Sequence, residues 1–262
     1  MNYIPLTYLY CSRIRKLGST LSQRLKSLAF EWLIIGIPAW WFYTHGALER
    51  TPAFILLYLL ALLTLNAIYE IGYIVNDVYA VKREDHPTLR PEAKQINPLI
   101  AIAARLATAL ASIYALVEFG GTSPYHVAAA AALLAYAIAL HNAVKVKAWR
   151  IHTFTLLRVS KYLFTPLAVL VDPYQSLLVL LATLPVIVSM MTEWYMKRTI
   201  REYGLGNPSS IANAPRYLVY GAPIPLYMVV AGLDNAAAYA VNYLMFASGL
   251  ARHLKEKGGE KT

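Results

Sequence analysis

A single cysteine, Cys11, stands in the 262 residues, which excludes an internal disulfide framework and any cysteine-rich metal centre. Charge is scarce too. Asp, Glu, Lys and Arg make up only 15% of the chain, against roughly a quarter in soluble domains. Acidic residues are the scarcer kind, 14 against 24 basic ones, leaving a formal net charge of +10. Such a balance can mark a nucleic-acid binder, but basic loops beside an anionic cytoplasmic leaflet account for it more simply. No nucleic-acid partner is expected. Low-complexity tracts and long linkers are absent as well, so one unit is expected: a basic arm at 1–27, a helix bundle at 28–253 and a tail at 254–262.

What the chain has in abundance is apolar surface. Hydrophobic residues are 58% of it and the mean hydropathy is +0.45. Eight apolar stretches run roughly over 28–45, 52–74, 98–117, 125–144, 152–171, 175–196, 216–233 and 236–253. Most approach the ~20 residues a helix needs to cross ~30 Å of hydrocarbon. The first follows basic residues, as a leader peptide would, but seven more follow it in register, and it is read as the first span.

The basic residues sort by side. The arm has Arg13, Arg15, Lys16, Arg24 and Lys26; the connection after span two has Lys82, Arg83, Arg90 and Lys94. After span four come Lys145, Lys147 and Arg150; after span six, Lys197, Arg198, Arg201 and Arg216; the tail adds Arg252, Lys255, Lys257 and Lys261. These are 20 of the 24, against Arg50 alone in the opposite connections. The positive-inside rule then predicts an all-α integral membrane protein of eight helices, placed in the plasma membrane with both termini cytoplasmic. The bilayer is its expected partner, and the sequence sets no oligomeric state. Ala131, Ala135 and Ala139, at four-residue spacing, are expected on a packed face. Gly221, Pro223 and Pro225 predict a kink in span seven.

Span two runs into the most polar stretch, NAIYEIGYIVNDVYAVKREDHPTLRP. On a continuous helix Asn66, Glu70, Tyr73, Asp77 and Glu84 would share one face. Glu70 falls within the hydrocarbon or at its edge, where an ionisable group is costly and normally meets a partner or a cavity. Arg105, Arg158 and Lys161, also inside spans, are the candidate partners. A buried structural ion pair and a cytoplasm-facing polar cavity both remain open, and the acidic residues at the membrane surface favour the cavity.

Asn76-Asp77, then Glu84-Asp85, then Arg90-Pro91 resembles the first acidic motif of the UbiA superfamily of intramembrane prenyltransferases. The stretch from His141 to Lys145 is similar, more weakly, to that family's Tyr-x3-Lys at the end of helix four. The resemblance spans roughly 28–253 and implies a UbiA-type bundle and transfer from a diphosphate ester assisted by Mg²⁺. Asn76, Asp77, Glu84 and Asp85 would carry the metal; Arg90, Lys145, Lys197 and Arg198 would hold the diphosphate; Asp77, Glu70 and Glu193 would be catalytic.

The pattern departs from the family in places. Ala80 replaces the middle acid, the loop after span six has Lys197-Arg198 where a carboxylate is expected, and eight spans replace the family's usual nine. HPTLRP, Lys145 and Lys197-Arg198 look similar instead to the polyprenyl-phosphate phosphoribosyltransferases, which use phosphoribosyl diphosphate. Prenyl transfer from an isoprenoid diphosphate is the leading expectation. Phosphoribosyl transfer, and a non-catalytic or transport role, are the alternatives.

Overall fold

The computed structural model describes residues 3–12, 14, 20–83, 90–144, 147–184 and 247. A short helix α1 (Thr7–Ser12) precedes α2 (Leu21–Thr44), α3 (Thr51–Val78), α4 (Pro98–Gly120), α5 (Pro124–Ala143) and α6 (Lys147–Val169). A further apolar helix, α7, covers Pro173–Leu184. No strand occurs among the described residues. The first five apolar stretches overlap α2 to α6, and the sixth overlaps α7 as far as residue 184, its remainder at 185–196 lying outside the described residues. The stretches at 216–233 and 236–253, with the kink expected at Gly221–Pro225, lie outside the described residues.

Three helical segments among the described residues are long and apolar enough to cross a membrane: Leu48–Lys82, Pro98–Gly120 and Pro124–Ala143. Their outward side chains, among them Leu59, Leu106, Leu110, Tyr114 and Tyr136, are exposed and apolar. A surface of this kind is consistent with contact with a bilayer.

Local chemistry sets the helix ends. Proline stands in the first turn of α3, α4 and α5, where its missing N–H costs nothing. Asn97 caps α4, its side chain accepting from Leu99 N and Ile100 N. Gly121 ends α4 with φ +62°, a left-handed position that glycine takes without strain. The turn that follows is held down where Thr122 Oγ1 donates to Ala168 O at the end of α6 (3.1 Å). Asp172 Oδ1 accepts from Tyr174 N and starts α7.

Helix α3 is the hub. It packs most extensively on α4 and also against α5 and α6, which pair with each other. Its Phe54, Leu57, Tyr58, Ala61, Leu62 and Leu65 join Leu116, Leu134, Leu157, Tyr162 and Phe164 in the main core. A second, smaller core of Tyr8, Ile74, Ile96 and Ala101 seals the start of the chain onto α3 and α4.

Two expectations about faces are corrected. On α5 the buried residues are Val127, Ala130, Leu134 and Ala137; of the three spaced alanines, Ala131 is partly buried and packs against the core, while Ala135 and Ala139 are exposed. The contact follows the i, i+3, i+7 row that meets α3 and α6, and the alanine spacing belongs to the neighbouring row. On α3 the helix stops at Val78 and Ala80–Arg83 continues as a 3-10 turn. The helical face expected to carry Asn66, Glu70, Tyr73, Asp77 and Glu84 therefore ends before Glu84.

Candidate functional site

The polar residues of α3 divide between two sides, because consecutive residues on a helix lie about 100° apart. Glu70 and Asp77, seven residues apart, share the side that meets α4 and the N-terminal arm. Tyr69, Gly72, Tyr73 and Asn76 look toward α5 and α6.

On the first side Glu70 is wholly buried and fully engaged. Its Oε2 accepts from Arg105 Nε (2.9 Å) and Leu6 N (2.9 Å), and its Oε1 accepts from Leu9 N (2.6 Å). Arg105, equally buried, also donates to Tyr3 O, Ile4 O and Ala101 O. Of the three basic residues expected as partners, Arg105 thus makes the ion pair. Arg158 lies 5.2 Å from the Phe154 ring, and Lys161 lies 5.7 Å and 5.9 Å from the rings of Tyr69 and Tyr162. Leu6 N and Leu9 N open α1, so the Glu70 carboxylate caps a helix from across the fold. The left-handed φ of +72° at Leu6 turns the arm onto it.

Seven residues along, Asp77 is 4% exposed. Its Oδ2 accepts from Tyr8 Oη (2.8 Å) and stands 3.4 Å from Arg90 Nε. Its Oδ1 accepts from Asn76 Nδ2 (3.1 Å), and Arg90 Nη1 also donates to Ser12 O (3.1 Å). Asn76, Asp77 and Arg90 are therefore brought together. As packed, they do not fit a Mg²⁺ ion: both Asp77 oxygens are already met by donors, and a guanidinium stands where a cation would be repelled. Among the described residues no three His, Cys, Asp or Glu side chains gather as a metal site requires. Glu84, Asp85, Lys145, Glu193, Lys197 and Arg198 lie outside the described residues.

On the second side is a cavity of about 150 Å³ lined by Tyr69, Gly72, Tyr73, Asn76, Ile138, His141, Asn142, Arg150, Phe154 and Leu157. Gly72 makes the close approach of α3 to α5 possible, since a Cβ there would meet Ile138 Cγ2 at 2.5 Å. Its carbonyl accepts from Asn142 Nδ2 (3.1 Å), which ties the two helices at this level. His141 Nδ1 lies 3.0 Å from Thr153 Oγ1 and fixes the imidazole against α6. Arg150, in the first turn of α6, donates to Asn76 Oδ1 (3.4 Å). A polar chain thus runs from Arg150 through Asn76 and Asp77 to Arg90 and Tyr8. It joins the cavity to the arm.

The chain matches no protein-family model, no curated protein and no solved structure. The residues themselves are the whole ground for a functional reading.

Several members of the site escaped the sequence. Arg150 was legible only as a basic residue after span four, and its place opposite Asn76 depends on how α6 packs. His141 and Asn142 lay in the weaker family match but not among the candidate site residues. Tyr69 carried no signal beyond an ordinary core aromatic, and Tyr73 was expected on the same face as Glu70 and Asp77, whereas it lines the cavity toward α5 and α6. Tyr8 carried none at all, since its partner is 69 residues away.

Proposed function

We propose that this chain is a membrane-embedded transferase of the UbiA kind that moves a prenyl group from an isoprenoid diphosphate to an acceptor. The distribution of basic residues supports eight spans with both termini cytoplasmic and the basic end of α3 on that side. One observation carries the functional reading: Arg150 meets Asn76 on the wall of a polar cavity, one residue from Asp77 and its Arg90 partner. Arginine binds phosphate through charge-assisted, often bidentate hydrogen bonds. Donors aimed at a departing diphosphate lower the barrier most where water is excluded. Arg150 and Arg90 are the described residues for that role, with Lys145, Lys197 and Arg198 completing it in the proposal. Tyr69, Tyr73 and Phe154 form the aromatic wall against which an acceptor is held.

Phosphoribosyl transfer remains the second reading. The polar, cationic wall of the cavity suits a phosphorylated sugar as well as a diphosphate. An isotope-transfer assay in vesicles separates the two. Label from an isoprenyl diphosphate should appear in an acceptor product, and Arg150→Gln should reduce its appearance by at least about tenfold. Label transferred only from phosphoribosyl diphosphate would replace the prenyl reading. Transfer from neither donor would leave the chain a non-catalytic relative.

A further inference from the structure

His141 lines the cavity from α5, and its ring chemistry is set by α6. Thr153 Oγ1 donates to Arg150 O one turn back along α6 (3.2 Å), a common bond for a threonine within a helix. A hydroxyl has one proton to give, so the same oxygen accepts from His141 Nδ1, 3.0 Å away. The two bonds together assign the Nδ1–H tautomer, and Nε2 then carries the lone pair of the neutral imidazole. Thr153 is buried, which shields both bonds from water. The imidazole also lies tilted against Phe154, the ring centroids 5.9 Å apart. His141, Phe154 and Arg150 thus border one cavity, with the orientation of the imidazole fixed from behind.

We infer that His141 Nε2 is the base that takes the proton of a hydroxyl acceptor, with Thr153 as the residue that positions it. This rests on the reading of the cavity as the transfer site. In the step, a lone pair of the acceptor oxygen forms the bond to the prenyl carbon. The bond from that carbon to the diphosphate oxygen breaks, and its electron pair leaves with the diphosphate, which Arg150 binds. The acceptor O–H bond breaks, its electron pair stays on oxygen, and the proton passes to Nε2. The products are a prenyl ether, diphosphate and an imidazolium, which gives its proton to water as they leave. His141 stands in the last turn of α5, where the helix end favours the positive charge it gains. A polyprenyl phosphate, the acceptor of the second reading, arrives as an anion and needs no such base. The tautomer therefore bears on the class of acceptor as well as on the step.

The experiment uses the intact chain in nanodiscs with nitrogen-labelled histidine, the ring signals of His141 being found by their loss in His141→Gln. The unmodified chain should show the Nδ1–H tautomer. Benzyl alcohol should shift the Nε2 signal, and benzyl methyl ether, which has the same ring and no O–H, should not. With farnesyl diphosphate as donor and benzyl alcohol as acceptor, His141→Gln should lower kcat about a hundredfold. Pyrophosphate binding, which reports Arg150 and the fold, should stay within about twofold in that variant. Thr153→Val removes the oxygen that fixes Nδ1, and should mix the tautomers and lower kcat by a smaller factor at the same pyrophosphate affinity. An Nε2–H tautomer in the unmodified chain, or His141→Gln working at the unmodified rate, overturns the role of His141 and leaves the transferase reading standing. No transfer to benzyl alcohol while pyrophosphate still binds overturns the hydroxyl acceptor in the same way. Absence of both transfer and pyrophosphate binding overturns the transferase reading, and the role of His141 with it.

Discussion

The two sides of α3 use similar residues to opposite ends. On the side of α4 the acid and base meet: Glu70 and Arg105 are wholly buried, and the carboxylate accepts from Arg105 Nε, Leu6 N and Leu9 N, all donors of the protein itself. On the side of α5 and α6 an asparagine, a histidine and an arginine border a cavity of about 150 Å³. A saturated polar cluster in a low-dielectric interior holds segments together, because any partner left alone is costly. A polar cluster beside open space can instead give its hydrogen bonds to a ligand. Position along α3 does not distinguish the two; saturation does.

Breaking the saturated side should have the largest consequence. Glu70→Ala leaves Arg105 buried without its counter-charge and frees α1 from its cap, and should lower stability by about 3–5 kcal/mol. Unfolding of the purified protein in detergent measures it. Replacing both residues by leucine should cost less than Glu70→Ala alone, since no charge is then left unpaired. A double variant as unstable as the sum of the singles would show that the pair does not act as a unit.

The cavity side is sharpened by Gly72. Its replacement by alanine drives a Cβ into Ile138 Cγ2 at 2.5 Å, so α3 and α5 must part or Ile138 must shift, at about 1–3 kcal/mol. Adding Ile138→Ala should recover most of the ligand affinity lost in Gly72→Ala, although it removes core packing. Failure to recover would mean that the spacing of these helices does not shape the cavity. A smaller effect is expected at Asn97, which belongs to neither side. Asn97→Ala removes the cap of α4 and should lower stability by about 1 kcal/mol, leaving pyrophosphate binding unchanged.

How much of this was legible beforehand follows from the range of each signal. Hydropathy is local, so the stretches at 98–117 and 125–144 came close to α4 (Pro98–Gly120) and α5 (Pro124–Ala143). The pairing of Glu70 was anticipated only as a short set of candidates, because Arg105, Arg158 and Lys161 all fall inside apolar stretches and one sequence does not say which helices touch. The end of α3 was misjudged because periodicity continues through Ala80 although the backbone changes to a 3-10 turn. The face of α5 was misjudged because alanine fits a packed row and an outward row alike. The arm was read only as a basic segment. Its docking depends on backbone N–H groups of Leu6 and Leu9, which have no signature in side-chain chemistry.

The division of α3 into a structural side and a ligand side is tested most directly at Arg150. Pyrophosphate binding and thermal unfolding should be measured together on Arg150→Gln in nanodiscs. The division predicts affinity weaker by at least about tenfold, equivalent to about 1.4 kcal/mol, with an unfolding midpoint close to that of the unmodified chain. Unchanged affinity, or a loss of stability comparable to that of Glu70→Ala, would contradict it.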